Sequence, residues 1–440
     1  MARIIVVGGG FGGCASAVRL AKLGHDVTLV EAGDRIGGAL GTVEHEGYLW
    51  QSGPTHTLLP AVIRDLYVKS GRKVEREFDL VPAGPQRHHF SDGTVLDLPG
   101  GSRAEQRRAI DEALGTGVGD QWLTWVGEYA DVWASMRRDW FERPYDPRTA
   151  SSATQALLGS RASLSGAARR LHDPHLRELA VGESIREGHR PERTPAWWGL
   201  QHYLRQTFDT WTVPVKQGGM ARLADSLTQR LATRGVEVVT GVEVTDLAVQ
   251  QGTCVGVVTA AAVTLADAVV VTIDPRRLPH LARFVRKTKA VTPPNLTHLG
   301  LSDPGLALPI ETVWHGDPQI VIRTAGSAPG GQLAITLSWR SSTRKGGRPV
   351  DVLRTLADRG LDLQPHVRVR VDRSPQAQVT AWGGSPWGAA WDGPATLRRR
   401  LGTLTPIKGA LCAGAHTTPG AGLHLVGLSA ALVAHVLGPS

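Results

Sequence analysis

Two kinds of hydrophobic spacing succeed one another along the chain, and the points where they change divide it. Ile4-Ile5-Val6-Val7 is an unbroken run of β-branched residues, which suits a strand buried on both faces, and Val27 to Val30 forms a second such run. Between them Ala15, Val18, Leu20, Ala21 and Leu23 supply an apolar helical face that Gly24 stops. Residues 58–72 repeat the helical period, whereas residues 78–98 alternate in twos around Ser91-Asp92-Gly93, as a hairpin does. From about residue 102 to 205 the pattern is mostly helical, with Trp122, Trp125, Trp133 and Trp140 spaced for interhelical packing. Short alternating runs return between about 291 and 394, at Thr312-Val313-Trp314 and at residues 319–323, 332–337 and 367–371, and predict an antiparallel sheet.

The glycines between the first two strands change this from architecture to chemistry. Gly8-Gly9-Gly10-Phe11-Gly12-Gly13 leaves the first strand and opens the helix. In such a turn Gly8 permits the bend, Gly10 lets the backbone approach a pyrophosphate, and Gly13 lets the helix pack against the sheet. The helix N-terminus adds unpaired N–H groups and a partial positive charge. Glu31 ends the second strand, eighteen residues beyond Gly13, where its carboxylate can accept from ribose hydroxyls. The unit therefore predicts a bound dinucleotide.

Arg35-Ile36-Gly37-Gly38 resembles the RxGG element of the FAD-dependent superfamily that holds phytoene desaturases, protoporphyrinogen oxidases and flavin amine oxidases. Other blocks carry the same resemblance in the same order. Residues 47–57, with Gly53-Pro54-Thr55-His56, are similar to a segment near the flavin ring. Gly218-Gly219-Met220 and the helix after it resemble the return into the cofactor domain, and residues 409–423 resemble the family's closing segment. The resemblance implies FAD, and a glutathione-reductase-like, Rossmann-like α/β domain with a mixed α+β substrate domain inserted. It places the cofactor domain at residues 1–75, 206–290 and 395–440. The substrate domain then takes residues 76–205, its helical part, and 291–394, its sheet.

It further implies cofactor contacts from Gly8, Gly10, Phe11, Gly12, Gly13, Glu31, Ala32, Arg35, Gly37, Gly38, Gly53, Pro54 and Thr55. Val244 would meet the adenine, and Gly414, Ala415, Gly422 and Leu423 the ring. Trp198, Trp211 and Trp382 are the expected substrate-lining residues. The reaction implied is hydride transfer to flavin N5 from a hydrophobic or polycyclic small molecule, giving an alkene or an imine. His56 is the first candidate for the accompanying proton, followed by His202, Tyr203 and His416. The lysine usual near N5 in amine oxidases has no clear match, since Lys287 and Lys289 lie in a basic run. A redox-neutral isomerase and a non-catalytic binding protein like the prenyl-escort proteins are the alternatives.

Composition narrows the partners. The net charge of +9 comes mainly from arginines in short scattered groups, without the interleaved aromatics of a nucleic-acid surface. An acidic substrate or an anionic membrane surface suits it better, and the electron acceptor, oxygen or a quinone, stays open. Three cysteines are too few and too scattered for a disulfide framework or a zinc site, and no other metal spacing occurs. Residues 255–273 and the uncharged stretch after Lys408 are apolar, but turn residues interrupt both. With the first strand at the N-terminus there is no room for a signal peptide, so a cytoplasmic protein is expected, with peripheral membrane contact left open.

Overall fold

The computed structural model describes residues 1–302, 305–340 and 350–440; parts of the range assigned to the substrate-side sheet thus lie outside the described residues. The first unit forms as its pattern predicts. β1 (Arg3–Val7) leads into α1 (Phe11–Lys22), and β2 (Asp26–Val30) returns parallel to β1. Strands Ala268–Val271 and Ala410–Cys412 extend the sheet on one side and Glu237–Val239 on the other, all parallel. Val6, Leu29 and Val270 are wholly buried in it, which explains why these strands read as continuous apolar runs. α1, whose Ala15, Ala17 and Val18 are fully buried, packs against the C-terminal helix Leu423–Leu437.

A second, seven-stranded sheet has the order Val367–Arg373, Asn295–Ser302, Gln332–Trp339, Ile320–Arg323, Glu311–Trp314, Gln86–His89, Val95–Leu98. Its pairings are antiparallel except for Glu311–Trp314 against Gln86–His89. Two details differ from the sequence pattern. Residues 78–98 are not one hairpin, because Val81–Pro82 pairs with Trp211–Thr212 and only Gln86–His89 and Val95–Leu98 fold about the turn. Asn295–Ser302 went unrecognised because its polar residues mask an interior strand. Thr297 donates to Asp372, His298 Nδ1 meets Thr336 Oγ1 at 2.9 Å, and Gly300 leaves room for the Tyr48 ring.

The helical block packs around tryptophan. Trp122 is buried to 1% exposure and donates from Nε1 to Gln106 Oε1 at 3.1 Å, while its ring lies 5.4 Å from that of Trp125. Trp140 meets Trp197 edge-on. The tryptophan series therefore serves the core of this block. Among the described residues no helix is long and apolar enough to cross a membrane.

Candidate functional site

The turn between β1 and α1 opens onto a cavity of about 860 Å³. Gly8 stands at φ 101°, a conformation that side chains rarely adopt. A Cβ on Gly13 would lie 1.8 Å from the Gly8 carbonyl oxygen, so helix and turn touch through backbone alone. A Cβ on Gly10 would meet nothing within 4 Å, because that face looks into the cavity. The next segment closes back over the turn: the Gly37 N–H donates to the Gly9 carbonyl at 2.8 Å. Glu31 is fixed by two backbone donors, Gly9 N–H at 2.6 Å and Gly33 N–H at 2.7 Å. A carboxylate has about four lone-pair sites, so both oxygens keep acceptor capacity toward the cavity. Buried Cys14, in the first turn of α1, has its thiol pushed up to about 12 by burial and by Glu31, and is a packing residue.

Seventeen of the eighteen expected cofactor contacts line this cavity: Gly8, Gly10, Phe11, Gly12, Glu31, Ala32, Arg35, Gly37, Gly38, Gly53, Pro54, Thr55, Val244, Gly414, Ala415, Gly422 and Leu423. Gly13 is the exception, since it stands behind Gly8 and shapes the turn from there. Residues more than four hundred positions apart in sequence thus share one wall. An open glycine face at a helix N-terminus, an acid at the end of β2 and a cavity of this size fit an extended dinucleotide.

The other end of the cavity was the less legible. His56 lines it, with Nδ1 3.8 Å from Glu311 Oε2, and burial lowers its pKa against the opposing pull of Glu311. His416 also lines it; its Nε2 is 2.8 Å from the Ser385 carbonyl and its Nδ1 3.2 Å from Arg276, and burial lowers its pKa. Trp382 lines the cavity, as does Trp387.

His202, Tyr203, Trp198 and Trp211 do not line the cavity. His202 bonds the Ala180 carbonyl at 3.1 Å and packs against Trp122 and Trp125, and Tyr203 packs into the same helical core. Trp198 is buried beside His189, and Trp211 lies under the Arg64 guanidinium with its N–H given to the Phe208 carbonyl. For His202 and Tyr203 the cause is helical phase. On the helix Leu200–Phe208 it is Gln201 and Arg205, one turn apart, that line the cavity, which rotates positions 202 and 203 away. Lys287 and Lys289 are exposed.

What the sequence reading missed is a set of buried charges. Glu183, Arg186 and Glu187 reach the cavity from the end of the helix Pro174–Arg186, Arg205 from the next helix, and Glu311 and Arg323 from facing strands. Arg205 Nη2 meets Glu183 Oε1 at 3.2 Å and its Nη1 donates to Gln86 Oε1 at 2.7 Å; Arg323 Nε donates to Glu311 Oε2 at 2.8 Å. Burial alone would raise both Glu183 and Glu311, but Arg205 brings Glu183 below its ordinary value and Arg323 holds Glu311 well below the usual carboxylate range. Glu187 goes the other way, pushed up to about 8 by burial and by Glu183. His424, at the start of the C-terminal helix, lines the same space with Nε2 buried and unbonded. Glu183 and Glu187, one helical turn apart, were a signal, but the same spacing is common on solvated faces.

A parallel sheet whose first strand-to-helix turn opens on one long cavity, with a second sheet and a helical block bringing charged groups to its far end, defines a two-lobed dinucleotide-binding protein. The family described as "Flavin containing amine oxidoreductase" matches residues 11–437. The chain belongs to that family, and FAD is the cofactor its glycine-lined entrance accommodates. A 4,4'-diapolycopene oxygenase from Methylomonas sp is 27% identical over 57% of this chain and 51% of its own length. A hydroxyneurosporene desaturase from Cereibacter sphaeroides is 32% identical over 63% of this chain and 57% of its own. The chain spans about half the length of the curated relatives it matches. In overall fold it is similar to the cyclohexylamine oxidase of Brevibacterium oxydans IH-35A, with a TM-score of 0.64 at 16% identity over 99% of both chains.

Proposed function

We propose that the chain is an FAD-dependent oxidoreductase that removes hydride from a small molecule with a hydrophobic or polycyclic body, leaving an alkene or an imine. One observation carries this reading: the cavity is continuous from the glycines of α1 to His56 and the buried charges, so cofactor and substrate share one enclosure. Bound FAD supplies the hydride acceptor at N5. The chain supplies the rest. Gly10, Gly12 and the N-terminus of α1 hold the diphosphate, Glu31 holds the ribose, and residues 414–423 face the ring. Trp382 and Trp387 offer the substrate apolar surface. His56, kept neutral by burial, takes the proton that the substrate releases as it loses hydride. The escort reading is not favoured, because the cradle is intact, and the isomerase reading is not favoured, because the family is one of oxidoreductases and the curated relatives include desaturases.

The electrons leave to oxygen or to a quinone, and a quinone acceptor goes with contact between this net-positive chain and an anionic membrane. Anaerobic mixing with candidate substrates should bleach the yellow band of the purified protein. Admitted air restores the colour promptly if oxygen is the acceptor; colour that returns only on adding a quinone identifies the other. A protein that holds no flavin and cannot be loaded with it overturns the reading. Glu31→Ala should fold normally and lose flavin on gel filtration, with an affinity for FAD lower by about tenfold or more. Unchanged occupancy in that variant would count against the ribose contact.

A further inference from the structure

Arg186 ends the helix Pro174–Arg186 in the cavity wall, and no hydrogen bond or ion pair joins its guanidinium to a described residue. A guanidinium held inside a protein needs an anion, because water no longer solvates it fully. The carboxylates near it are already engaged. Glu183 is paired through Oε1 with Arg205 at 3.2 Å, its Oε2 being buried and unbonded, and Glu311 is paired with Arg323 at 2.8 Å, with the Gln86 amide on its other oxygen. Glu187, adjacent in sequence, is pushed toward its neutral form by burial and by Glu183, which makes it a poor counter-ion. The chamber therefore sets three guanidinium groups against two ionised carboxylates, and the surplus positive charge sits on the group without a partner.

We infer that the substrate carries a carboxylate and that Arg186 binds it. This deepens the functional reading above and rests on it. A planar guanidinium offers two parallel N–H donors that match a carboxylate's two oxygens. The charge balance selects the same group. A single negative charge neutralises the surplus, whereas a phosphate dianion would place a second charge before Glu183 and Glu311. The apolar body then lies toward the tryptophans, and Arg186 fixes which of its bonds reaches the reacting position.

The flavin-loaded protein should be titrated with acetate, hexanoate and benzoate, with benzamide as the neutral counterpart of benzoate and phenyl phosphate as the dianion. Calorimetry and displacement of the flavin absorption band report binding. Benzoate is expected to bind about tenfold to a hundredfold more tightly than benzamide. Arg186→Gln should abolish that preference with flavin content unchanged, and Arg186→Lys should keep part of it. Indifference to all three carboxylates, a preference that survives Arg186→Gln, or tighter binding of phenyl phosphate would overturn the inference. Loss of flavin from Arg186→Gln would also overturn it, by assigning the guanidinium to the cofactor. Protein that takes up no flavin sinks the functional reading itself; flavin-loaded protein blind to carboxylates sinks only the role of Arg186.

Discussion

Gly13→Ala should give a protein that holds no flavin and unfolds at a markedly lower temperature than the parent. The added Cβ would stand 1.8 Å from the Gly8 carbonyl oxygen and 3.0 Å from its carbon, with Thr272 Oγ1 also at 3.0 Å. Two of these atoms are backbone, so no side-chain rotation relieves the clash. α1 would have to lift from β1, yet Ala15, Ala17 and Val18 on that helix are fully buried. Overpacking a core ordinarily costs about 1–3 kcal/mol, and here it falls on backbone, whereas alanine's better helix propensity returns only about 1 kcal/mol. The loss wins. Gly10→Ala is the matched control, because its Cβ would enter open cavity. That variant should melt like the parent and lose affinity only for the diphosphate. Flavin absorbance per protein and the thermal midpoint separate the two, and a Gly13→Ala protein with parental values of both would refute the packing argument.

The same contrast shows what the sequence made legible. A close approach of backbones leaves a mark, since glycine alone satisfies it, and so the turn, its acid at Glu31 and the buried strands beside it stand out in the sequence alone. The C-terminal wall was found through its resemblance to a family segment. The charged end of the cavity was not legible for a different reason. Glu183, Arg186, Arg205, Glu311 and Arg323 are residue types that most often face water, and only tertiary packing turns them inward together. Asn295–Ser302 escaped notice on similar grounds, because the Thr297 hydroxyl and the His298 Nδ1 find partners on neighbouring strands. His202 was overvalued because a helix was recognised without its phase. One residue's rotation separates it from Gln201, which does line the cavity.

Glu311→Ala should cost about 3–5 kcal/mol of stability at pH 7, the usual penalty for leaving one member of a buried ion pair alone. Glu311 and Arg323 are opposite each other at the open end of their antiparallel strand pair, away from the turn, and the Gln86 amide donates to the same carboxylate. Removing the carboxylate strands both. The effect also has a pH signature. Burial by itself would raise the Glu311 carboxyl, but Arg323 first, then His56, Arg186 and Arg205, hold it well below its ordinary value. A depressed carboxyl contributes stability fully above its unfolded-state pKa of about 4.3, and loses it as the pH falls toward the folded value. The difference in urea midpoint between parent and variant should therefore be constant from pH 7 to about 5 and shrink below 4. The double variant Glu311→Leu, Arg323→Met removes both charges and should recover much of the loss. His56 supplies an independent reading, because Glu311 is the largest influence raising its pKa against burial. Without Glu311 the imidazole stays neutral to lower pH, so the acid limb of flavin reduction should move to lower pH in the variant. A gap in stability that persisted unchanged at pH 3.5, or an acid limb that stayed in place, would show that Glu311 is not the ionised centre of this end of the cavity.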